Sequence, residues 1–169
     1  RLLRTRPEQE WKITPQLVEA QLTDKTRALL IATPNNPTGT VMTGRELEAI
    51  ATLCSRHGIA LIVDEIYAGL IYDQPDFSAC QLGNGVFVIN SFSKYFGMTG
   101  WRLGWVVCPE NFVRPLEKLA QNLFISPPTV AQQAALSAFS NQSIAILEQR
   151  KSEFRERRDY LMAELPALG

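Results

Sequence analysis

Lys94 stands in the run Ser91-Phe92-Ser93-Lys94-Tyr95-Phe96-Gly97, followed by Met98-Thr99-Gly100-Trp101-Arg102-Leu103-Gly104. The segment before it, Val86-Phe87-Val88-Ile89, is apolar and strand-like, so the lysine falls just past a strand end. A lysine so placed can act as an amine nucleophile toward a carbonyl. Two hydroxyls, Ser91 and Ser93, precede it, and the Arg102 guanidinium lies eight residues after it. Hydroxyls and a guanidinium suit a phosphate. One small molecule that carries both a carbonyl and a phosphate is pyridoxal 5'-phosphate.

These residues need a scaffold. Ala28-Leu29-Leu30-Ile31-Ala32 reads as a buried strand, closed by the turn Pro34-Asn35-Asn36-Pro37-Thr38-Gly39. Thr43 and Glu46 form a capping-box pattern for a helix running to about His57, with Gly58 as its stop. Ile59 to Val63 is the next buried strand, Val86 to Asn90 a third, and Arg102 to Cys108 a fourth ended by Pro109. Continuous apolar strands alternating with helices predict a three-layer α/β/α fold around a mainly parallel sheet. The link from Asn90 to Arg102 is too short for a helical crossover, so the fourth strand is expected to run antiparallel. Helices follow at Glu110 to Phe124 and Thr129 to Phe139, and a long charged one spans Gln142 to Leu165. The expected organisation is one α/β domain over 1–141 and a long helix over 142–169.

Open parallel sheets bind ligands beyond the carboxyl ends of their strands. Three segments meet that condition: Asn35-Asn36, Asp64 with Tyr67, and Ser91 to Lys94. Together they offer an amide, a carboxylate, a phenol and an amine. An electron-accepting pyridine needs a carboxylate at its ring nitrogen, donors at its phenolic oxygen and an amine for its aldehyde. Each residue alone has a plainer reading. Lys94 would be a solvated surface residue, Asp64 a cap or ion-pair partner, Tyr67 packing and Asn36 a turn former. His57 lies near a helix C-terminus, away from the motifs, and Trp101 and Trp105 read as packing.

The motifs Asn35-Asn36-Pro37-Thr38-Gly39, Val63-Asp64-Glu65-Ile66-Tyr67, Ser91-Phe92-Ser93-Lys94 and Gly100-Trp101-Arg102-Leu103-Gly104-Trp105, in this order and spacing, carry a family resemblance. The chain resembles the second half of the large domain of a fold-type I, class I/II aminotransferase of the aspartate aminotransferase family. The resemblance implies a pyridoxal 5'-phosphate enzyme that moves an amino group between an amino acid and a 2-oxo acid. It implies that Lys94 is the internal-aldimine lysine and the proton shuttle. Asp64 is then the partner of the pyridine nitrogen, and Tyr67 and Asn36 are donors to the ring oxygen. Ser91 and Arg102 become phosphate ligands, with Ser93 between them, and Glu65 stays structural. A neighbouring use of the same fold and cofactor is elimination, as in carbon–sulfur lyases. Another is an aminotransferase-like ligand-binding domain in a transcription regulator.

In that family a phosphate loop and a ring-stacking aromatic precede this region. A carboxylate-clamping arginine follows it, and a further tyrosine comes from the partner of a homodimer. The 169 residues open on Arg1, so a part of a longer chain, inactive by itself, is expected. The zero formal net charge gives no reason to expect nucleic acid or an anionic membrane as partner. Mixed charges between Glu148 and Arg158 read as the solvated face of a helix. Cys54, Cys80 and Cys108 match no metal-ligand spacing and read as reduced thiols of a cytoplasmic protein. No apolar run approaches the ~18 residues of a spanning helix.

Overall fold

The continuous apolar runs become adjacent strands. The computed structural model describes residues 2–83 and 85–168. Its regular elements are α1 (Pro15–Glu19), β1 (Ala28–Ala32), α2 (Gly44–Arg56), β2 (Ala60–Asp64), β3 (Val86–Ser91), β4 (Gly104–Val107), α3 (Glu110–Leu123), α4 (Thr129–Ala138) and α5 (Asn141–Glu164). Short 3₁₀ turns lie at Ala79–Leu82 and Thr99–Trp101. The sheet order is β1-β2-β3-β4. The first two pairings are parallel and β3–β4 is antiparallel, as the short β3–β4 link requires.

Parallel strands keep continuous apolar runs because both faces are covered. Leu29, Ile31, Leu61, Val63, Val86 and Val88 point to one face and are buried there with Leu47, Ile50, Leu53 and Cys54 of α2. On the other face Phe87 packs edge-on against Phe112 of α3, ring centroids 5.0 Å apart. That layer is thinner: Leu30 remains 63% exposed and Ile89 40%.

The start of α2 is set locally. Thr43 N–H donates to Glu46 Oε2 at 2.7 Å, and Glu46 N–H donates to Thr43 Oγ1 at 3.3 Å. Both halves of the capping box are therefore made. Lys12 adds an ion pair to Glu46 at 3.2 Å, which ties the N-terminal segment to the same helix end. Gly58, at φ +63°, ends the helix in the left-handed conformation that glycine adopts without a Cβ clash.

Two differences from expectation are local. Arg102 takes a left-handed φ of 52° as it leaves the Thr99–Trp101 turn, so β4 starts at Gly104 rather than at Arg102. The short helix α1 lies outside the expected elements, although Thr14-Pro15 is a start signal. Thr14 Oγ1 accepts from Leu17 N–H at 3.2 Å, and Pro15 occupies the first helical position.

Thr43→Ala removes the capping hydroxyl and should lower stability by about 1 kcal/mol. Urea unfolding should show a lower midpoint at unchanged slope, and an unaltered midpoint would mean that the cap contributes nothing.

Candidate active site

Strand register brings the candidate residues to one edge. Ala32 is level with Asp64, Asp64 with Ile89, and Ser91 with Gly104. The carboxyl ends of β1, β2 and β3 and the start of β4 therefore share that edge; a candidate segment follows each of those three ends, and Arg102 precedes β4. Asn36 Nδ2 donates to Tyr67 Oη at 3.1 Å, joining the β1 and β2 segments across 31 residues of sequence. Lys94 Nζ stands 5.3 Å from the centroid of the Tyr67 ring. A cavity of about 520 Å³ opens beside Asn36 and Tyr67, with Pro34, Val41 and Tyr72 in its wall. That is room for a small ligand, although Lys94 does not line it.

The hydroxyls and Arg102 belong to a second, tightly bonded group. Ser91 Oγ lies 2.9 Å from Ser93 Oγ and accepts from Ser93 N–H at 3.0 Å. It also bonds the Leu103 carbonyl at 3.1 Å. Thr99 Oγ1 donates to the Ser93 carbonyl at 2.6 Å, and the Thr99 carbonyl accepts from Arg102 Nη1 at 3.0 Å. The loop from Ser91 to Leu103 is thus cross-linked by its own polar groups, with Ser93 buried and Lys94 exposed.

Two neighbouring carboxylates have opposite surroundings. Asp64 is half-buried at the sheet edge, where its Oδ1 accepts from Ile66 N–H at 3.0 Å. Glu65 is only 3% exposed and points inward. It accepts from Ser78 Oγ at 2.9 Å and from Ala79 N–H at 2.6 Å. Burial pushes the Glu65 carboxyl above its ordinary pKa, against the lowering by those two bonds. Glu65 therefore anchors the loop after Asp64, in line with a structural part.

The loops are further held by α5. Tyr95 Oη donates to Glu148 Oε1 at 2.5 Å, and burial, then this carboxylate, push the phenol up to about 12. The Tyr95 ring leaves no room for a Cβ at Gly69, which has φ +86° and would bring one within 2.8 Å of the ring. Arg155 pairs with Asp73 at 3.2 Å, and Arg158 bonds the same carboxylate. The charged stretch of α5 is therefore more than a solvated face. Sequence pattern carried no signal for Tyr95, Glu148 or Thr99 as supports of the site, because each acts on a residue reached only by folding. Trp105 packs edge-on against Phe92, centroids 5.1 Å apart, as the packing reading of that residue requires.

A mainly parallel α/β sheet with a lysine, a carboxylate, a phenol, an amide and a guanidinium at one edge defines an α/β protein with a candidate ligand site at its strand ends. The chain matches the family described as aminotransferase class I and II over residues 1–169. It is 38% identical over 165 residues to the valine–pyruvate aminotransferase of Mycobacterium tuberculosis, covering 96% of this chain and 42% of that protein. It is also 38% identical over 168 residues to the aspartate/prephenate aminotransferase of Thermus thermophilus, covering 98% and 44%. The fold is similar to that of the Thermus thermophilus aspartate aminotransferase with maleate, with a TM-score of 0.93 at 37% identity, covering 99% of this chain and 44% of that one. The chain belongs to the class I and II aminotransferase family. It spans less than half the length of these relatives. Among the described residues no helix is long and apolar enough to cross a membrane.

Two substitutions test the supports of this edge. A Cβ at Gly104 would lie 2.7 Å from the Asn90 carbonyl, a backbone atom that cannot swing away. Gly104→Ala should cost about 1–3 kcal/mol in urea unfolding, and full retention of stability would contradict the close approach. For Glu65 the sign follows from its raised value. Its contribution to stability is complete below its unfolded pKa of about 4.3 and is lost as pH rises through the folded value. Wild type should therefore lose stability relative to Glu65→Gln as pH rises above the unfolded value of about 4.3. A gap between the two proteins that stays constant with pH would rule this out.

Proposed function

We propose that this chain supplies the chemical part of an aminotransferase site, which moves an amino group between an amino acid and a 2-oxo acid with pyridoxal 5'-phosphate. Family membership supports the activity. The observation that carries the residue roles is the cluster of Lys94, Tyr67 and Asn36, in which Nζ lies 5.3 Å from the ring centroid and the amide bonds the phenol at 3.1 Å.

The donor set suits this group: an amine for its carbonyl, hydroxyls and a guanidinium for its phosphate, a carboxylate for its ring nitrogen. When bound, pyridoxal 5'-phosphate supplies an electron-accepting ring for the charge left by loss of a substrate proton. Asp64 is the carboxylate for the ring nitrogen, and its Oδ2 accepts no bond from the described residues. Tyr67 Oη already accepts a hydrogen bond from Asn36 Nδ2, so its own O–H is free to donate to the ligand's ring oxygen. Ser91, Ser93 and Arg102 hold the phosphate, with Arg102 as a fixed cation of several donors. Lys94 Nζ would be the amine that holds the carbonyl end of the group. As a free amine, Nζ would serve as the general base for the proton on the substrate α carbon.

On this reading residues 1–141 form part of the cofactor-binding domain, and 142–169 form the helix leading toward a second domain. That helix is mostly exposed, with Leu147 its buried residue. The intact protein is read as a homodimer. Leu123 and Ile125, 76% and 80% exposed, support further protein covering this side.

Borohydride reduction of the intact protein loaded with pyridoxal 5'-phosphate, followed by peptide mass mapping, should place the adduct on Lys94. Lys94→Ala should lower transamination by about a hundred- to ten-thousand-fold. An adduct on any other residue would falsify the assignment.

A further inference from the structure

Thr99 touches both sides of the proposed phosphate-binding end. Its hydroxyl donates to the Ser93 carbonyl at 2.6 Å, and its own carbonyl accepts from Arg102 Nη1 at 3.0 Å. Ser93 precedes Lys94 directly, and its N–H and hydroxyl are both within bonding distance of Ser91 Oγ. Arg102 closes the Thr99–Trp101 turn in a left-handed conformation, φ 52° and ψ 51°. Non-glycine residues hold that conformation at a cost, and neighbouring contacts must support it.

We propose that Thr99 is a positioning residue for the phosphate end of the site, holding Ser93 and Arg102 in one fixed relation through its hydroxyl and its carbonyl. The proposal rests on the pyridoxal 5'-phosphate reading above. An arginine side chain has many rotamers, and anchoring one N–H reduces the freedom that ligand binding must still remove. The remaining guanidinium N–H groups donate to no other group among the described residues and stay available to an anion. Without the Thr99 hydroxyl the 3₁₀ turn loses its tie to Ser93. The Thr99 carbonyl is then no longer held where Arg102 meets it. The hydroxyl thus acts on the phosphate through Arg102 and Ser93 rather than by contact.

The test compares two ligands that differ only in the phosphate. Dissociation constants for pyridoxal 5'-phosphate and for pyridoxal are measured on the intact apo-protein by absorbance, for wild type, Thr99→Val and Thr99→Ser. Wild type should prefer the phosphorylated ligand. Thr99→Val should lose about three- to tenfold of that preference, the equivalent of one ordinary hydrogen bond, with pyridoxal affinity unchanged. Thr99→Ser keeps the hydroxyl and should keep the preference; Thr99→Ala replaces the valine variant where that does not fold. A loss shared equally by both ligands, or no loss at all, overturns the positioning role and leaves the cofactor reading in place. A wild type indifferent to the phosphate overturns the cofactor reading and this proposal with it.

Discussion

The parallel register of β1, β2 and β3 is the constraint on which the rest depends. Side chains alternate along a strand, so a slip of one residue turns every side chain to the other face. Leu61 and Val63 of β2, 1% and 0% exposed, are sealed against α2 by that register. Exposing a buried side chain of this size costs about 1.5–3 kcal/mol, and a slip would expose several at once. The same slip would bury Asp64, which follows Val63. Core packing and the placing of the edge carboxylate are therefore one requirement rather than two.

Alternation also separates Asp64 from Glu65. The first stays at the edge with a carboxylate oxygen open, and the second turns inward to bond Ser78 and Ala79. A buried carboxyl is costly unless bonded, and Glu65 has both of its oxygens occupied. The loop carrying Tyr67 begins from this anchor. It is held from outside by Tyr95 against Gly69, and by the α5 arginines on Asp73. Exposed ion pairs add little stability each, so their consequence is chiefly the placing of α5 against this loop.

The antiparallel β4 completes the edge from the other direction. Because its link to β3 is short, the chain turns back at once, and Gly104 comes level with Ser91. The absence of a side chain at Gly104 lets the strand approach the Asn90 carbonyl. The turn between them is bonded internally at Ser91, Ser93, Thr99 and Arg102. Lys94 projects from a segment whose backbone is held on both sides.

Much of this was legible in the residues themselves. The apolar runs, the Thr43 capping box, the short β3–β4 link and the order of the motifs are local patterns, set by hydropathy period and by bonds within a turn. They determined the fold class, the candidate residues Asn36, Asp64, Tyr67, Ser91, Ser93, Lys94 and Arg102, and the family they resemble. The tertiary structure alone decided that Asn36 bonds Tyr67, that Tyr95 meets Glu148 at a separation of 53 residues, and that Thr99 spans from Ser93 to Arg102. The physical reason is that these bonds join backbone segments whose separation is set only when the strands align and the 3₁₀ turn closes, and no pattern of neighbouring residues encodes that distance.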